Sequence, residues 1–437
     1  MFSSLSSRSL RCSVHLRSPA CRATFRTSPL RRFPRVNERN PQITGEHLSH
    51  RLESRTPSFK EELLKDDPTY DMKTFMRSLN KPKIGRQILF ATTGMCLSFI
   101  LAAVFSEEDT EHWKEALESA KGWSLTGMSV SSEDMRRARQ FSLAKKLQNN
   151  VKKLQDALAP LPKMISNFFV WTYAQVATSY LNASEGGRLA WQIGALNAAV
   201  WVAWQIPRLH PVMAARFMHH PLSGRATTLL TSMFSHQSLV HLAFNTIALT
   251  SFGSASGHFL AQRQAQNPDG TLESTPRYHL LAVFISAGLF SGLVSHVVAA
   301  RIHFPRIIKH LSSTTKNASN SSSGRFFSTP RPPNDILPSL GASGGVYALV
   351  TMTALAYKDA EVSMFFLPLS IPIQWGVGGM VALDVLGIIR GWRMFDHWAH
   401  LGGAAFGAIY WKYGPSFWDA LRADYEDEDE DVKLKNS

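Results

Sequence analysis

The chain has 437 residues, of which 44% are hydrophobic and 18% are charged. This composition permits a polytopic membrane protein, and the mean hydropathy of −0.10 indicates that long polar stretches separate the apolar ones. The formal charge is +14, but removing the eight arginines of residues 1–37 leaves +6, which weakens a nucleic-acid interpretation. We therefore expect no nucleic-acid partner.

Residues 1–37 predict a mitochondrial transit peptide. They contain eight arginines and eight serines but no Asp, Glu or Lys, and they lack the unbroken apolar stretch of a secretory signal. A basic nucleic-acid-binding arm is the alternative. Cys12 and Cys21 would leave with this peptide and Cys96 lies in an apolar span, so the sequence predicts no disulfide framework and no cysteine metal site. Residues 38–83 are predicted to form a polar matrix segment.

The rest of the chain predicts an all-α polytopic membrane protein. Residues 84–106 form a leading transmembrane helix, because the run from Gln87 to Phe105 can cross about 30 Å of hydrocarbon. Residues 107–186 form a polar and amphipathic linker, in which Met164 to Tyr180 could lie on the membrane surface. Residues 187–413 form a six-helix core, with spans at 188–206, 239–259, 278–300, 338–357, 371–390 and 397–413. A Ser/Asn-rich stretch, 312–334, predicts a disordered insertion, and 414–437 an acidic, solvated tail.

The charges of the loops predict the orientation. With the amino terminus in the matrix, alternation of the spans puts the basic loops at 208–225, 301–309 and 390–393 there too. The acidic clusters near Glu107, Glu361 and the carboxyl tail then lie in the intermembrane space, in agreement with the positive-inside bias. We therefore expect the two termini on opposite sides of the inner mitochondrial membrane.

Two short motifs, each at the start of an apolar segment, suggest a catalytic site. Ser343 stands in Gly341-Ala342-Ser343-Gly344, and His400 in Ala399-His400-Leu401-Gly402-Gly403. A serine needs a base within hydrogen-bond reach, and neutral imidazole suits that role. Gly403 and Gly407 lie on the helical face of His400, and Gly341 and Gly344 flank the serine. Because glycine has no side chain, the two helix backbones could approach closely enough for the hydroxyl and the imidazole to meet. Taken alone, a Gly-x-Ser-Gly string is common by chance, and the alternative is that its serine and glycines are ordinary packing residues between membrane helices.

Further polar residues could complete this site. His241 and Asn245 are four residues apart on one predicted helix face. Together with the Ser343 amide they could stabilise an oxyanion. The alternative is that they form hydrogen bonds between helices and have no catalytic role. Tyr347, one turn after Ser343, could stack on His400. Two carboxylates have open roles: Asp396, one turn before His400, and Asp384 in mid-span. We expect His397 to be an exposed or capping residue, and the absence of His-Glu-x-x-His or similar ligand spacing predicts no metal and no cofactor.

At these residues the chain resembles the rhomboid intramembrane serine proteases, and in particular their mitochondrial branch, the presenilin-associated rhomboid-like type. The pattern is carried by Gly341 to Gly344, Ala399 to Gly407 and His241 to Asn245, in that family's arrangement. The resemblance implies a six-helix rhomboid core with one additional amino-terminal helix. It also implies Ser343 as nucleophile, His400 as general base and acid, and His241, Asn245 and the Ser343 amide as oxyanion stabilisers.

The same resemblance implies what the protein does and where. Its members act as serine dyads, which demotes Asp396 to a loop or capping residue. They cleave single-span, nuclear-encoded proteins of the inner mitochondrial membrane, and a dynamin-like GTPase and cytochrome c peroxidase are among their substrates. The Trp-Arg pair of many secretory-pathway rhomboids is missing between Pro207 and Ser238. Two rival functions are a non-catalytic rhomboid-like protein that binds membrane clients, and a transporter, which intramembrane Asp384 and His296 would suit.

Overall fold

A computed structural model describes residues 81–121, 129–267, 271–310, 336–363 and 370–436, with side chains as far as residue 423. The predicted transit peptide, nearly all of the polar segment 38–83 and the Ser/Asn-rich insertion lie outside the described residues.

The described residues are largely helical. The long helices are α1 (Gly85–Lys121), α2 (Ser132–Ala157), α3 (Lys163–Asn182), α4 (Glu185–Trp204), α5 (Leu239–Gln266), α6 (Arg277–Val298), α7 (Ser343–Ala356), α8 (Ile373–Arg390) and α9 (His397–Asn436). Short helices at His210–Arg216 and Thr228–Thr231 lie between α4 and α5, and a π-helical turn, Ala299–His303, follows α6. Two three-residue strands, β1 (Glu361–Ser363) and β2 (Ser370–Pro372), pair antiparallel before α8. The predicted all-α class is confirmed.

Three of the described helical stretches are long and apolar enough to cross a membrane. They are Gly85–Ala120, Arg277–His310 and Ile373–Arg390, and Ser343–Ala356 is apolar but shorter. The remaining core helices carry buried polar side chains such as Asn197 and Ser256, which lower their hydropathy while facing other helices. The count of one leading and six core spans therefore stays a prediction.

Helix α7 lies at the centre of the bundle. It packs against α9, α6 and α5, while α4 packs on α5 and α1 packs on α6 and α9. Its residues Ala348, Leu349 and Met352 are buried and belong to the main hydrophobic core or contact α9. Burial around nearly the whole circumference indicates a helix enclosed by its neighbours. This position holds the amino end of α7 rigidly.

Glycines allow α7 and α9 to approach each other closely. A Cβ atom on Gly403 would overlap the carbonyl of Gly344, and one on Gly407 would overlap the backbone of Ala348. The predicted Gly-x-x-x-Gly surface of α9 is therefore the surface that contacts α7. Small residues at such crossings let backbones approach to a distance that larger side chains prevent.

Ion pairs join helices α1 and α2 to the core helices α4 and α9. Arg139 of α2 pairs with Asp109 of α1, and it lies 4.0 Å from Glu185 at the start of α4. Arg422 of α9 is 1% exposed and donates to Glu107 of α1 at 2.5 Å. The segment predicted as a polar linker is thus helical and attached to the core through its charges.

The carboxyl-terminal boundary differs from the prediction. The acidic tail is predicted to begin at residue 414, whereas α9 continues to Asn436 with Pro415 inside it. Trp418 is 1% exposed and its ring stacks on His279 at 4.3 Å between centroids. Residues 414–422 are therefore packed against the bundle through the face of the helix that carries Trp418 and Arg422, both of which are 1% exposed.

Candidate active site

The turn before α7 presents Ser343 at the first position of that helix. Gly341 adopts φ = +128°, a conformation that L side chains rarely adopt, and a Cβ there would clash with the ring of His241. The amide of Gly341 donates to the carbonyl of Ser232 at 3.0 Å, which fixes the turn. Glycine at 341 is therefore required both for the turn and for the close approach of α5.

The structure brings Ser343 and His400 together. Their Oγ and Nε2 atoms are 3.0 Å apart, although the two residues are 57 positions apart in the chain. His400 is 8% exposed and lies in the first turn of α9, which the glycine contact holds against α7. The ring of Tyr347 stacks on the imidazole with centroids 4.3 Å apart and planes 11° apart. The imidazole is thus held between the serine hydroxyl and an aromatic face.

Asp384 of α8 fixes the orientation of this imidazole. Its Oδ1 lies 3.0 Å from His400 Nδ1. A carboxylate only accepts hydrogen bonds, so Nδ1 carries the proton and Nε2 turns its lone pair towards Ser343. Asp384 is 3% exposed and is one of three buried residues of α8. Serine, histidine and aspartate therefore form a hydrogen-bonded chain across three helices.

Asp384 also contacts a second histidine. His397 Nδ1 lies 2.6 Å from the same oxygen, Asp384 Oδ1. His397 is 7% exposed, so the expectation of an exposed or capping residue is wrong. Its ring fits against Gly387, where a side chain would overlap it. Burial follows from this glycine on the neighbouring helix, which local sequence around His397 does not reveal.

Asp396 has the capping role and does not reach His400 as a triad acid. Its Oδ1 accepts the amide of Ala399 at 3.1 Å, and its Oδ2 accepts the hydroxyl of Ser295 at 2.6 Å. An acidic residue bonded to the first-turn amides stabilises the start of a helix. Asp396 therefore anchors α9 to α6 next to the site.

The predicted oxyanion residues lie on α5, which borders the serine turn. The ring of His241 packs against Gly341, and Asn245, one turn further on, is 7% exposed. The Asn245 amide nitrogen donates to the His241 carbonyl at 3.0 Å, which uses one of its two hydrogens. The Ser343 amide lies in the first turn of α7, where backbone donors have no acceptor within the helix. His241 is thus in contact with the serine turn, and Asn245 keeps a second hydrogen to donate.

His236 supports the serine turn from the loop before α5. It is 1% exposed, and its Nε2 accepts the amide of Ala342 at 3.5 Å. Burial, reinforced by neighbouring His241, lowers the pKa of His236 to about 4, so its ring is neutral and able to accept. No local motif marks this residue, since its role depends on a contact across 106 positions.

A cavity of about 550 Å³ opens next to the base. Its lining includes Asp384, His397, His400 and Tyr347, together with apolar side chains from α8 and the loop before α9, among them Met380, Leu383, Trp392, Met394 and Phe395. A mostly apolar cavity with a few convergent polar groups is the usual form of a ligand site. The hydrogen-bonded chain therefore borders on space for another molecule.

Comparison with known proteins gives the class to which this arrangement belongs. Residues 223–415 match the family model of the rhomboid domain. This stretch of the chain is therefore similar to a rhomboid domain, and the described residues form an all-α fold with helices long enough to cross a membrane.

The related proteins are mitochondrial. The presenilin-associated rhomboid-like proteins of Rattus norvegicus and Homo sapiens are each 31% identical to it, over 53% of this chain and 50% of theirs. Rhomboid protein 1 of Saccharomyces cerevisiae is 22% identical over 52% of this chain and 53% of its own. The chain spans about half the length of the curated relatives it matches. These similarities confirm the resemblance to the mitochondrial rhomboid-like proteins.

Proposed function

We propose that this protein is an intramembrane serine endopeptidase that uses Ser343 and His400. The observation that carries the proposal is the 3.0 Å separation between Ser343 Oγ and His400 Nε2, with His400 Nδ1 held by Asp384. This arrangement leaves the Nε2 lone pair aimed at the hydroxyl proton. A serine so placed is an activated nucleophile.

The reaction follows from these atoms. Ser343 Oγ attacks the carbonyl carbon of the scissile peptide bond while its proton passes to His400 Nε2, and Asp384 stabilises the resulting imidazolium. The Ser343 amide, His241 and the second hydrogen of the Asn245 amide donate to the oxyanion. His400 then gives its proton to the leaving amine, which breaks the C–N bond and leaves an ester on Ser343. A water molecule, deprotonated by His400, hydrolyses that ester.

The position of the site inside a helical bundle indicates the substrate class. A peptide bond in a transmembrane helix is shielded and hydrogen-bonded, so the substrate segment has to unwind before its carbonyl reaches Ser343. On α8, Trp375 is 78% exposed and Leu383 is 57% exposed, and Phe244 of α5 is 55% exposed, so these side chains are not covered by other helices. We infer that a substrate helix enters laterally between α5 and α8.

We further propose the inner mitochondrial membrane as the location, with the amino terminus in the matrix and the carboxyl terminus in the intermembrane space. One leading and six core spans are part of this proposal. The substrates would be single-span, nuclear-encoded mitochondrial proteins. The names of the relatives, which place them in mitochondria, support the compartment.

The test is cleavage by the full chain reconstituted in lipid vesicles. Wild type, Ser343→Ala and His400→Ala are compared against a panel of single-span mitochondrial proteins, and an active-site-directed fluorophosphonate reports on the nucleophile. We expect wild type alone to cleave substrates, with at least a thousandfold loss in each variant, and Ser343→Ala to lose the label. Binding of substrates without cleavage by wild type would favour the client-binding function instead.

A further inference from the structure

Asp384 holds two imidazoles, although the proposed reaction uses one. Nδ1 of His397 and Nδ1 of His400 lie 2.6 Å and 3.0 Å from the same oxygen, Asp384 Oδ1. The three residues offer ligand atoms within 4.8 Å of one another, and all three side chains are buried. Two imidazoles and a carboxylate, with a fourth position left to water, are a common zinc coordination set.

The surroundings of the cluster leave room for an ion. His397 Nε2 is buried and has no hydrogen-bond partner among the described residues, so this imidazole is bonded at one nitrogen only. The cavity of about 550 Å³ borders on all three residues and could supply the water ligand. Arg393 also lines this cavity, but the other residues around the three ligands are mostly apolar, and such surroundings would strengthen the attraction between a divalent cation and the Asp384 carboxylate.

The movement required at Asp384 is small. Zinc bonds of about 2.0–2.2 Å place tetrahedral ligands about 3.3 Å apart. The two contacts of Asp384 would therefore lengthen by about 0.7 Å at His397 and about 0.3 Å at His400. The ligand atoms of the two histidines lie within 4.8 Å of each other, so they would also approach by up to about 1.5 Å, which rotation of the imidazole side chains has to supply.

A metal on this cluster would disable the base. In the metal-free site, His400 carries its proton on Nδ1 and offers Nε2 to Ser343. A metal bound to Nδ1 displaces that proton, and the neutral ring then carries it on Nε2, which becomes a donor towards Ser343 Oγ. The serine loses the acceptor for its proton, so it is not activated.

We propose that Asp384, His397 and His400 form an inhibitory binding site for Zn²⁺, or for a divalent transition metal of similar ligand preference. The inference rests on the proposed function, because it concerns control of the same base. His397 is the residue that distinguishes the two roles: it belongs to the metal site but has no part in the transfer of a proton from Ser343.

Inhibition is measured with the full chain in chelator-treated vesicles and a single-span substrate. We expect Zn²⁺ to suppress cleavage, EDTA to restore it, and Mg²⁺ to have no effect, since Mg²⁺ prefers oxygen ligands. His397→Gln and His397→Phe should each raise the half-inhibitory Zn²⁺ concentration at least tenfold; the second variant keeps the ring volume without a donor atom. The matched control is His258→Gln, because His258 stacks on Tyr357 away from the cluster. Equal inhibition of wild type and both His397 variants would overturn the inference.

Metal binding is measured separately in proteins that cannot cleave. Ser343→Ala keeps all three ligands, so added Co²⁺ should give the visible absorption of a tetrahedral site. The bands should vanish in Ser343→Ala/His397→Gln and persist in Ser343→Ala/His258→Gln. Absence of the bands in Ser343→Ala would overturn the metal site even if wild type is an active protease. Their presence with an inert wild type would support the metal site while contradicting the proposed function, and binding without inhibition would overturn the inhibitory role.

Discussion

At the scale of single residues, Asp384 determines which nitrogen of His400 carries the proton. We predict that Asp384→Asn lowers kcat by about a hundredfold or more, because an amide can donate to Nδ1 and stabilise the tautomer with Nε2–H. KM should change little, since Asp384 does not contact the scissile bond. Steady-state kinetics on reconstituted protein measure both constants.

The matched control is Asp396→Asn, twelve positions further along the chain. That residue caps α9 and accepts from Ser295, so its replacement should cost about 1 kcal/mol of stability and leave kcat within about threefold. If both variants retained normal kcat, the orienting role of Asp384 would be wrong. If both lost it equally, the effect would belong to packing around α9.

Asp384 and Asp396 also show which contacts of single residues can be predicted from sequence and which cannot. Ser343, His400 and His241 stand in short motifs that resemble the rhomboid pattern, and Tyr347 follows Ser343 by one helical turn, so the resemblance and local spacing together place them in one group. Asp384 lies 16 positions before His400 on a different helix, and the contact depends on how α8 is rotated about its axis. Apolar composition does not fix that rotation for a membrane helix, because lipid and protein neighbours both accept apolar side chains.

At the scale of helices, the contact between α7 and α9 sets the distance between nucleophile and base. We predict that Gly403→Leu lowers cleavage at least a hundredfold, because a side chain there overlaps the carbonyl of Gly344 and separates the two backbones. A misplacement of about 1 Å is enough to cost this much. Cleavage assays and thermal unfolding in detergent measure the effect on rate and on fold.

Gly85→Leu, in the first turn of α1, is the control for this change. It makes the same substitution in a helix, but nothing lies within 4 Å of a Cβ at that position. We expect cleavage within a fewfold of wild type. Near-normal cleavage by Gly403→Leu would show that the two helices tolerate separation, and the geometry of the pair would need another explanation.

The opposite end of the bundle depends on Arg422. This guanidinium is 1% exposed and donates to Glu107 and to the Leu272 carbonyl at 2.7 Å, which joins α9, α1 and the loop before α6. We predict that Arg422→Met destabilises the protein by about 3–5 kcal/mol, because it leaves Glu107 partly buried without its partner. Denaturant or thermal unfolding in mild detergent measures the loss.

Arg137→Met is the comparison for that measurement. Arg137 pairs with Glu133 at 2.5 Å within α2, but both side chains are more than 70% exposed. Solvent screens such a pair, and its removal should cost well under 1 kcal/mol. Equal losses in the two variants would contradict a structural role for the burial of Arg422. Sequence alone assigns Arg422 to a tail because its helix is rich in acidic residues, and only the contacts with α1 reveal its function.

At the scale of the whole molecule, charge separates the two ends of the bundle. On the side where α7 and α9 begin, a β-bridge joins His219 to Ser339. On the same side, Ser295 of α6 donates to Asp396, which precedes α9. Basic residues lie between or at the ends of the long helices on this side, notably Arg208, Arg216, Arg301 and Arg390. At the other end, Arg422, Arg139 and Arg188 are paired with Glu107, Asp109 and Glu185, so these three arginines offer less free positive charge. This division supports the proposed orientation, because basic loops favour the matrix side.

The orientation predicts the accessibility of the carboxyl terminus. In mitoplasts, whose outer membrane is opened, an epitope fused after Ser437 should be removed by added protease, because seven spans would put it in the intermembrane space. An epitope in the loop 208–225 should resist until detergent is added, since that loop would face the matrix with Ser343 and His400. Matched immunoblots of the two tagged proteins measure both sites. Protection of the carboxyl-terminal epitope would reverse the orientation or change the number of spans, and it would move the entrance of the catalytic residues to the other face of the membrane.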